Sequence, residues 1–269
     1  MTLPIYQIDA FTDRAFAGNP AAVCVLQEPR SAKWMQSVAA EMNLSETAFV
    51  WRSANGIGDQ FELRWFTPTV EVDLCGHATL AAAHALWSQG HVAKDKSIEF
   101  QTRSGWLTCL RQDDLIQLDF PTAPATACDP PPELIETLDV NPIFFGSSRF
   151  DKLLVIDSPS VVRCLKPDFA RLKGTLGARG VIVSSASDEP SFDFISRFFA
   201  PGVGIDEDPV TGSAHCTLAP YWAQRLNKQS LIGYQASARG GTVHAELIGD
   251  RVLLRGQAVL VLIGQLLVD

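Results

Sequence analysis

The chain has 269 residues, 46% of them hydrophobic, and a formal net charge of −8. That length allows one large domain or two of ordinary size, with enough apolar side chains for a substantial core. The acidic balance, with no basic stripe, excludes nucleic acid as a partner; a small anion stays possible, because helix N-termini and a few Arg or His act locally.

Taken in chain order, residues 5–11 alternate and predict a strand, Asn19-Pro20 a turn, and residues 21–26 a second strand. Residues 31–42 have helical spacing, with Ser31 as N-cap. Strands follow at 47–52 and 61–67, then a helix over 78–89 ended by Gly90, then strands at 97–102, 105–111 and 115–120. Residues 121–132 are rich in Pro, Ala and Thr without a hydrophobic period and read as a linker. Beyond it come a short helix at 132–138, strands at 143–145 and 151–156, a weak helix at 168–172, and strands at 180–184 and 193–199. A helix over 214–226 is followed by strands that include 241–248 and 251–255. Strands arrive in runs, with one long helix in each half. The fold class expected is α+β, a sheet wrapped around one central helix and built twice. The expected division is an N-terminal lobe over 1–118, a linker over 119–127, a C-terminal lobe over 128–257, and a terminal strand over 258–269 free to return to the first lobe.

The first nine residues have no basic region before an apolar run, which argues against a signal peptide. The longest apolar stretch, 258–268, is broken by Gly264 and Gln265 and is too short to span a bilayer. Cys24, Cys75, Cys109, Cys128, Cys164 and Cys216 form no C-x-x-C pair. They read as reduced thiols, which points to the cytoplasm.

One motif occurs twice. Arg64-Trp65-Phe66-Thr67-Pro68 runs on to Leu74-Cys75-Gly76-His77-Ala78-Thr79, and Arg197-Phe198-Phe199-Ala200-Pro201 runs on to Val210-Thr211-Gly212-Ser213-Ala214-His215. Each copy reads as strand, proline turn, acidic loop, then a Gly-plus-polar pair opening an alanine-rich helix. Two such helix starts would meet in one cleft and offer backbone N–H groups to an anion. Glu46 stands just before an apolar strand, where burial favours a general acid or base; a solvated loop Glu would read the same way. His77, at a helix start, should be neutral unless a carboxylate is near, and its plainer reading is a polar cap. Asp206, Glu207 and Asp208 form an acidic run before the second helix, with a solvated loop as the plain reading for the first two. Asp208 and Ser213 gain weight from the repeat. No zinc spacing, Walker A motif, G-x-G-x-x-G or Gly-x-Ser-x-Gly is present, so side-chain acid and base would carry any chemistry, with no cofactor and no metal.

Four motifs together resemble the phenazine-biosynthesis PhzF-like family. They are Asp9-Ala10-Phe11-Thr12 with Gly18-Asn19-Pro20-Ala21; Asn43-Leu44-Ser45-Glu46-Thr47-Ala48-Phe49; Asp73-Leu74-Cys75-Gly76-His77-Ala78-Thr79; and Arg197-Phe198-Phe199-Ala200-Pro201 with Glu207-Asp208-Pro209-Val210-Thr211-Gly212-Ser213-Ala214-His215. The resemblance implies the diaminopimelate-epimerase-like fold, two similar lobes with the active site between them, cofactor-free isomerase chemistry on a small anionic metabolite, and a homodimer. It implies proton transfer by Glu46, of the kind the family performs on dihydro-hydroxyanthranilate, with His77 and Asp208 as further catalytic residues. Ser45, Gly76, Gly212 and Ser213 are implied to bind substrate. Related epimerases use two facing cysteines. Here Cys75 stands at the first position, but Thr211 at the second. Two rivals follow: a racemase or epimerase using Cys75 with a carboxylate, and a metabolite-binding protein without turnover.

Overall fold

One order of strand pairings is used twice along the chain. The structure is a computed structural model that describes residues 2–53 and 58–267. The chain divides into two units, Met1–Asp119 with Arg255–Asp269, and Phe120–Leu254.

In the first unit β1 (Thr2–Ala10) pairs antiparallel with β2 (Asn19–Val25). Helix α1 (Ala32–Met42) crosses over to β3 (Glu46–Arg52), which runs parallel to β2. β4 (Gln60–Phe66) is antiparallel to β3, and the short β5 (Glu71–Val72) turns back on β4. After helix α2 (Gly76–Ser88), β6 (Ile98–Thr102) returns parallel to β4, and β7 (Gly105–Gln112) and β8 (Leu115–Pro121) follow antiparallel.

The second unit repeats the scheme. After β9 (Thr126–Ala127) and α3 (Pro132–Leu138), β10 (Phe144–Ser147) pairs antiparallel with β11 (Asp151–Val155). Helices α4 (Pro159–Cys164) and α5 (Phe169–Thr175) lead to β12 (Gly180–Ala186), parallel to β11. β13 (Phe194–Ala200) is antiparallel to β12, and β14 (Ile205–Glu207) turns back on β13 through a 3-10 turn at Pro201–Val203. After helix α6 (Gly212–Leu226), β15 (Ser230–Gln235) is parallel to β13 and β16 (Gly241–Ile248) antiparallel to β15, followed by β17 (Arg251–Gly256). The last strand, β18 (Ala258–Leu267), pairs with β1 along its length, Thr2 opposite Leu267 and Ala10 opposite Ala258. The fold is α+β with mixed sheets.

Local sequence explains the element ends. The Ser31 hydroxyl accepts the Trp34 N–H to open α1, and Asn43 closes it in the left-handed conformation at φ 50°. Helix α2 is buried nearly all round, from His77 to Trp87, as a helix at the centre of a unit must be. In the second unit the sheet is covered on both faces. Leu154, Val181, Val183, Ile195 and Phe199 pack on one side, and Leu153, Val155, Ile182, Phe194 and Phe198 on the other, beside Leu218 and Trp222 of α6. Successive strand residues point to opposite faces. Two buried faces therefore give continuous apolar runs rather than alternation.

Several expectations are corrected. Asn19-Pro20 is not a turn but the start of β2; the turn lies just before, where Gly18 has φ +64° and a Cβ would stand 2.2 Å from the Ala10 carbonyl. Both long helices begin two residues earlier than their apolar periods, at the Gly-plus-polar pairs. The second unit has four α-helices, one more than the three read beyond residue 131, because α4, opened by Ser158 and Pro159, has only six residues and shows no period. The stretch read as a linker is tied down. β9 pairs with β10, and the Thr122 N–H donates to the Asp250 carbonyl at 2.8 Å. The Ala123 N–H donates to the Cys216 carbonyl at 2.9 Å. Pro220 inside α6 has no N–H for that carbonyl four residues earlier, so Ala123 takes it.

Candidate active site

In the first unit, β3 begins at Glu46 and α2 begins at Gly76-His77. The Glu46 carboxylate lies 3.3 Å from His77 Nε2, both side chains largely buried, without the alignment of a hydrogen bond. At the other ring nitrogen, Asn19 Nδ2 stands 3.1 Å from His77 Nδ1 and Cys75 Sγ 3.6 Å. An Asn19 Nδ2 or thiol donor at Nδ1 would leave the proton of a neutral ring on Nε2, on the Glu46 side. Burial pushes His77 down to about 3, so the imidazole is uncharged at neutral pH despite the neighbouring carboxylate. Desolvation outweighs the carboxylate that could have charged it. Cys75 occupies the N-cap position but makes no capping hydrogen bond. Glu46, Cys75 and His77 each bring a donor atom within 4.8 Å of the others and form a group that could hold a metal ion. Ser45 lies partly exposed in the bend before β3.

The second unit builds the corresponding helix start differently. Thr211 takes the N-cap position of α6 and, like Cys75, makes no side-chain cap. Its hydroxyl donates to the buried Asp208 carboxylate at 2.5 Å. Gln235 of β15 locks this turn: its carbonyl oxygen accepts the Thr211 N–H at 2.8 Å, and its amide donates to the Asp208 carbonyl at 2.7 Å. Ser213, at the place of His77 in the repeat, accepts a hydrogen bond from Arg179 Nη2 at 2.8 Å. His215, wholly buried, is pushed down to about 4 by burial, against the opposing pull of its 2.9 Å contact with the Thr211 carbonyl.

Behind each helix start stands the same clamp. Arg64 grips Glu71 through two hydrogen bonds of 2.6 Å, and Arg197 grips Glu207 at 2.7 and 2.8 Å. Glu207 is thus no solvated loop residue, as the acidic run suggested. It pins β14 to β13 and so fixes the turn that carries Asp208. Asp206 remains exposed.

The structure brings Glu46, Gly76 and His77 together in one unit, and Asp208, Gly212 and Ser213 in the other. Sequence reasoning gave no site role to Asn19, Arg179 or Gln235. Asn19 had a signal in the Gly18-Asn19-Pro20 motif; Arg179 and Gln235 lie in no motif.

The architecture is shared with a hydroxyproline epimerase from Agrobacterium vitis, solved with trans-4-hydroxy-L-proline bound, at a TM-score of 0.64 and 11% identity over 98% of this chain and 92% of that one. At that identity the likeness defines the fold, which is diaminopimelate-epimerase-like. At closer range, the family model described as phenazine biosynthesis-like protein matches residues 8–264. An uncharacterized isomerase of Halalkalibacterium halodurans is 53% identical over 268 residues, 99% of each chain. A PhzF family protein of Enterococcus faecalis superposes with a TM-score of 0.93 at 40% identity over 100% of both chains. The chain belongs to the phenazine biosynthesis-like protein family, an isomerase and epimerase-like family.

Proposed function

We propose that this chain is a cofactor-independent isomerase that moves a proton on a small carboxylate-bearing metabolite, with Glu46 as general acid/base. The observation that carries the reading is the Glu46 carboxylate 3.3 Å from the Nε2 of a buried, neutral His77. In this reading Glu46 removes a proton from one substrate carbon and returns it to another. No redox change is involved. A neutral His77 with its proton on Nε2 supplies a dipole rather than a second charge beside the carboxylate. Asp208 is assigned to the same reaction as a further acid/base or polarising group, and Ser45, Gly76, Gly212 and Ser213 to substrate binding. A dihydro-hydroxyanthranilate-type shift is one reaction of this kind. We place the protein in the cytoplasm; no helix among the described residues is long and apolar enough to cross a membrane. We also propose a homodimer, supported by Leu262, Ile263 and Leu267 exposed on β18, and sedimentation velocity tests it.

The experiment has two stages. A thermal-shift screen of cyclic and amino carboxylic acids finds a ligand, since binding to the folded state alone raises stability. Turnover and solvent-deuterium incorporation are then followed by NMR in wild type and Glu46→Gln. The amide keeps the shape but cannot carry the proton, so turnover should fall by about 10²–10⁴-fold with binding retained. Activity within a few-fold of wild type sinks the assignment. The buried Cys75 thiol, 3.6 Å from His77 Nδ1, favours a second reading, a racemase or epimerase using Cys75 with a carboxylate. Deuterium exchange at a substrate α-carbon lost in Cys75→Ala but kept in Glu46→Gln selects it.

A further inference from the structure

Arg179 is joined to the start of α6 by contacts that the reading above does not use. The parallel register sets Asp151 opposite Gly180, which places Arg179 beside the Asp151 carboxylate. Asp151 is buried and holds the guanidinium through both oxygens, Nε to Oδ1 at 2.9 Å and Nη2 to Oδ2 at 2.5 Å. The guanidinium carbon also lies 5.4 Å from the ring centre of Phe150 and 5.5 Å from that of Phe198. Gly180 lets Phe198 come this close: a Cβ there would stand 2.3 Å from the ring. The cation is therefore fixed in position, yet its side chain is 36% exposed.

The consequence falls on Ser213. Its oxygen accepts from Arg179 Nη2 at 2.8 Å, so its own proton must point elsewhere. A serine that accepts from a cation is left as a donor toward the ligand, with a positive charge directly behind it. Donor and charge together suit an anionic oxygen and disfavour a neutral amide of the same shape.

We propose that Arg179 is a positioning and specificity-determining residue that, with Asp151, turns Ser213 into a donor for the substrate carboxylate. This rests on the reading of Ser213 as a substrate-binding residue. The plainer alternative is that Arg179 and Asp151 are a structural ion pair only.

The test uses benzoate and its neutral mimic benzamide as probes, titrated into the full-length protein by calorimetry at constant pH and salt. Wild type is expected to bind benzoate about tenfold or more tightly than benzamide. Ser213→Ala should lose most of that preference. Arg179→Gln should lose it too, and Arg179→Lys should restore part of it. Because Arg179→Gln leaves Asp151 buried without its partner, the double variant Asp151→Asn/Arg179→Gln removes both charges together and keeps the test available if the single variant does not fold. A preference lost in Ser213→Ala but kept in the Arg179 variants overturns the proposal and leaves the Ser213 reading standing. A wild type that shows no preference for benzoate overturns both.

Discussion

His77 is uncharged because it is buried, and this leaves a mark on stability. Its folded-state value is pushed down to about 3, and that of His215 to about 4, from an ordinary value of 6.5. Between those values and 6.5 the unfolded chain binds protons that the folded chain refuses. The stabilising contribution is therefore complete above pH 6.5 and is lost as pH falls. Each histidine can add a slope of at most about 1.4 kcal/mol per pH unit. We expect the urea midpoint to drop between pH 7 and pH 5, and His77→Asn to reduce the slope. An unchanged slope in His77→Asn would show that the imidazole is not held neutral. Glu46→Gln, measured alongside, separates the carboxylate's own titration from that of the imidazole.

At the scale of elements, each helix start rests on an Arg–Glu clamp, and the two arginines differ in depth. The Arg197 side chain is 10% exposed against 25% for Arg64. Arg197 Nη1 also donates to the Leu165 carbonyl at 2.6 Å and, more loosely, to those of Val162 and Arg163. Arg197→Met leaves Glu207 and these carbonyls unsatisfied and should cost about 3–5 kcal/mol, whereas Arg64→Met should cost clearly less. Chemical denaturation of the two variants decides the order; equal losses would mean that depth is not what matters. The clamps were half legible. The sequence repeats Arg before an aromatic strand and an acid after it, but only the folded register shows that Glu207, rather than its neighbours Asp206 and Asp208, is the acid that pairs.

For the whole molecule, the informative segment is the last one. The chain leaves the second unit within β17, after Leu254, and β18 then pairs with β1 at the beginning of the chain. Removing residues 258–269 would expose the backbone edge of β1 and the apolar side chains that β18 covers, Leu266 against Leu3 and Ile5 among them. We expect that truncation to lower the melting temperature sharply and to promote aggregation through the bared edge. Melting that matches the full chain would mean that the first unit holds without its last strand. The sequence supplied the existence of this strand from its apolar run and left it free to return to the first lobe, but it did not single out β1 as the partner, since pairing over such a separation is set by the completed sheet.

Local chemistry by itself determined a good deal about this protein: the α+β class, the N-cap of α1, and the family, whose motifs are short and contiguous. The twice-used strand–turn–helix unit was visible because each copy is continuous in sequence. Tertiary structure alone decided what meets what. Asn19 reaches His77 across 58 positions, and Arg179 reaches Ser213 across 34. No periodicity encodes such contacts. They arise from sheet register, which places Arg179 beside Asp151, and from Gly18, which turns the chain so that Asn19 opens β2. The charge state of His77 was likewise undecidable from sequence. A helix start and a nearby carboxylate pull it in opposite directions, and the depth of burial, a property of the packed core, settles it as neutral.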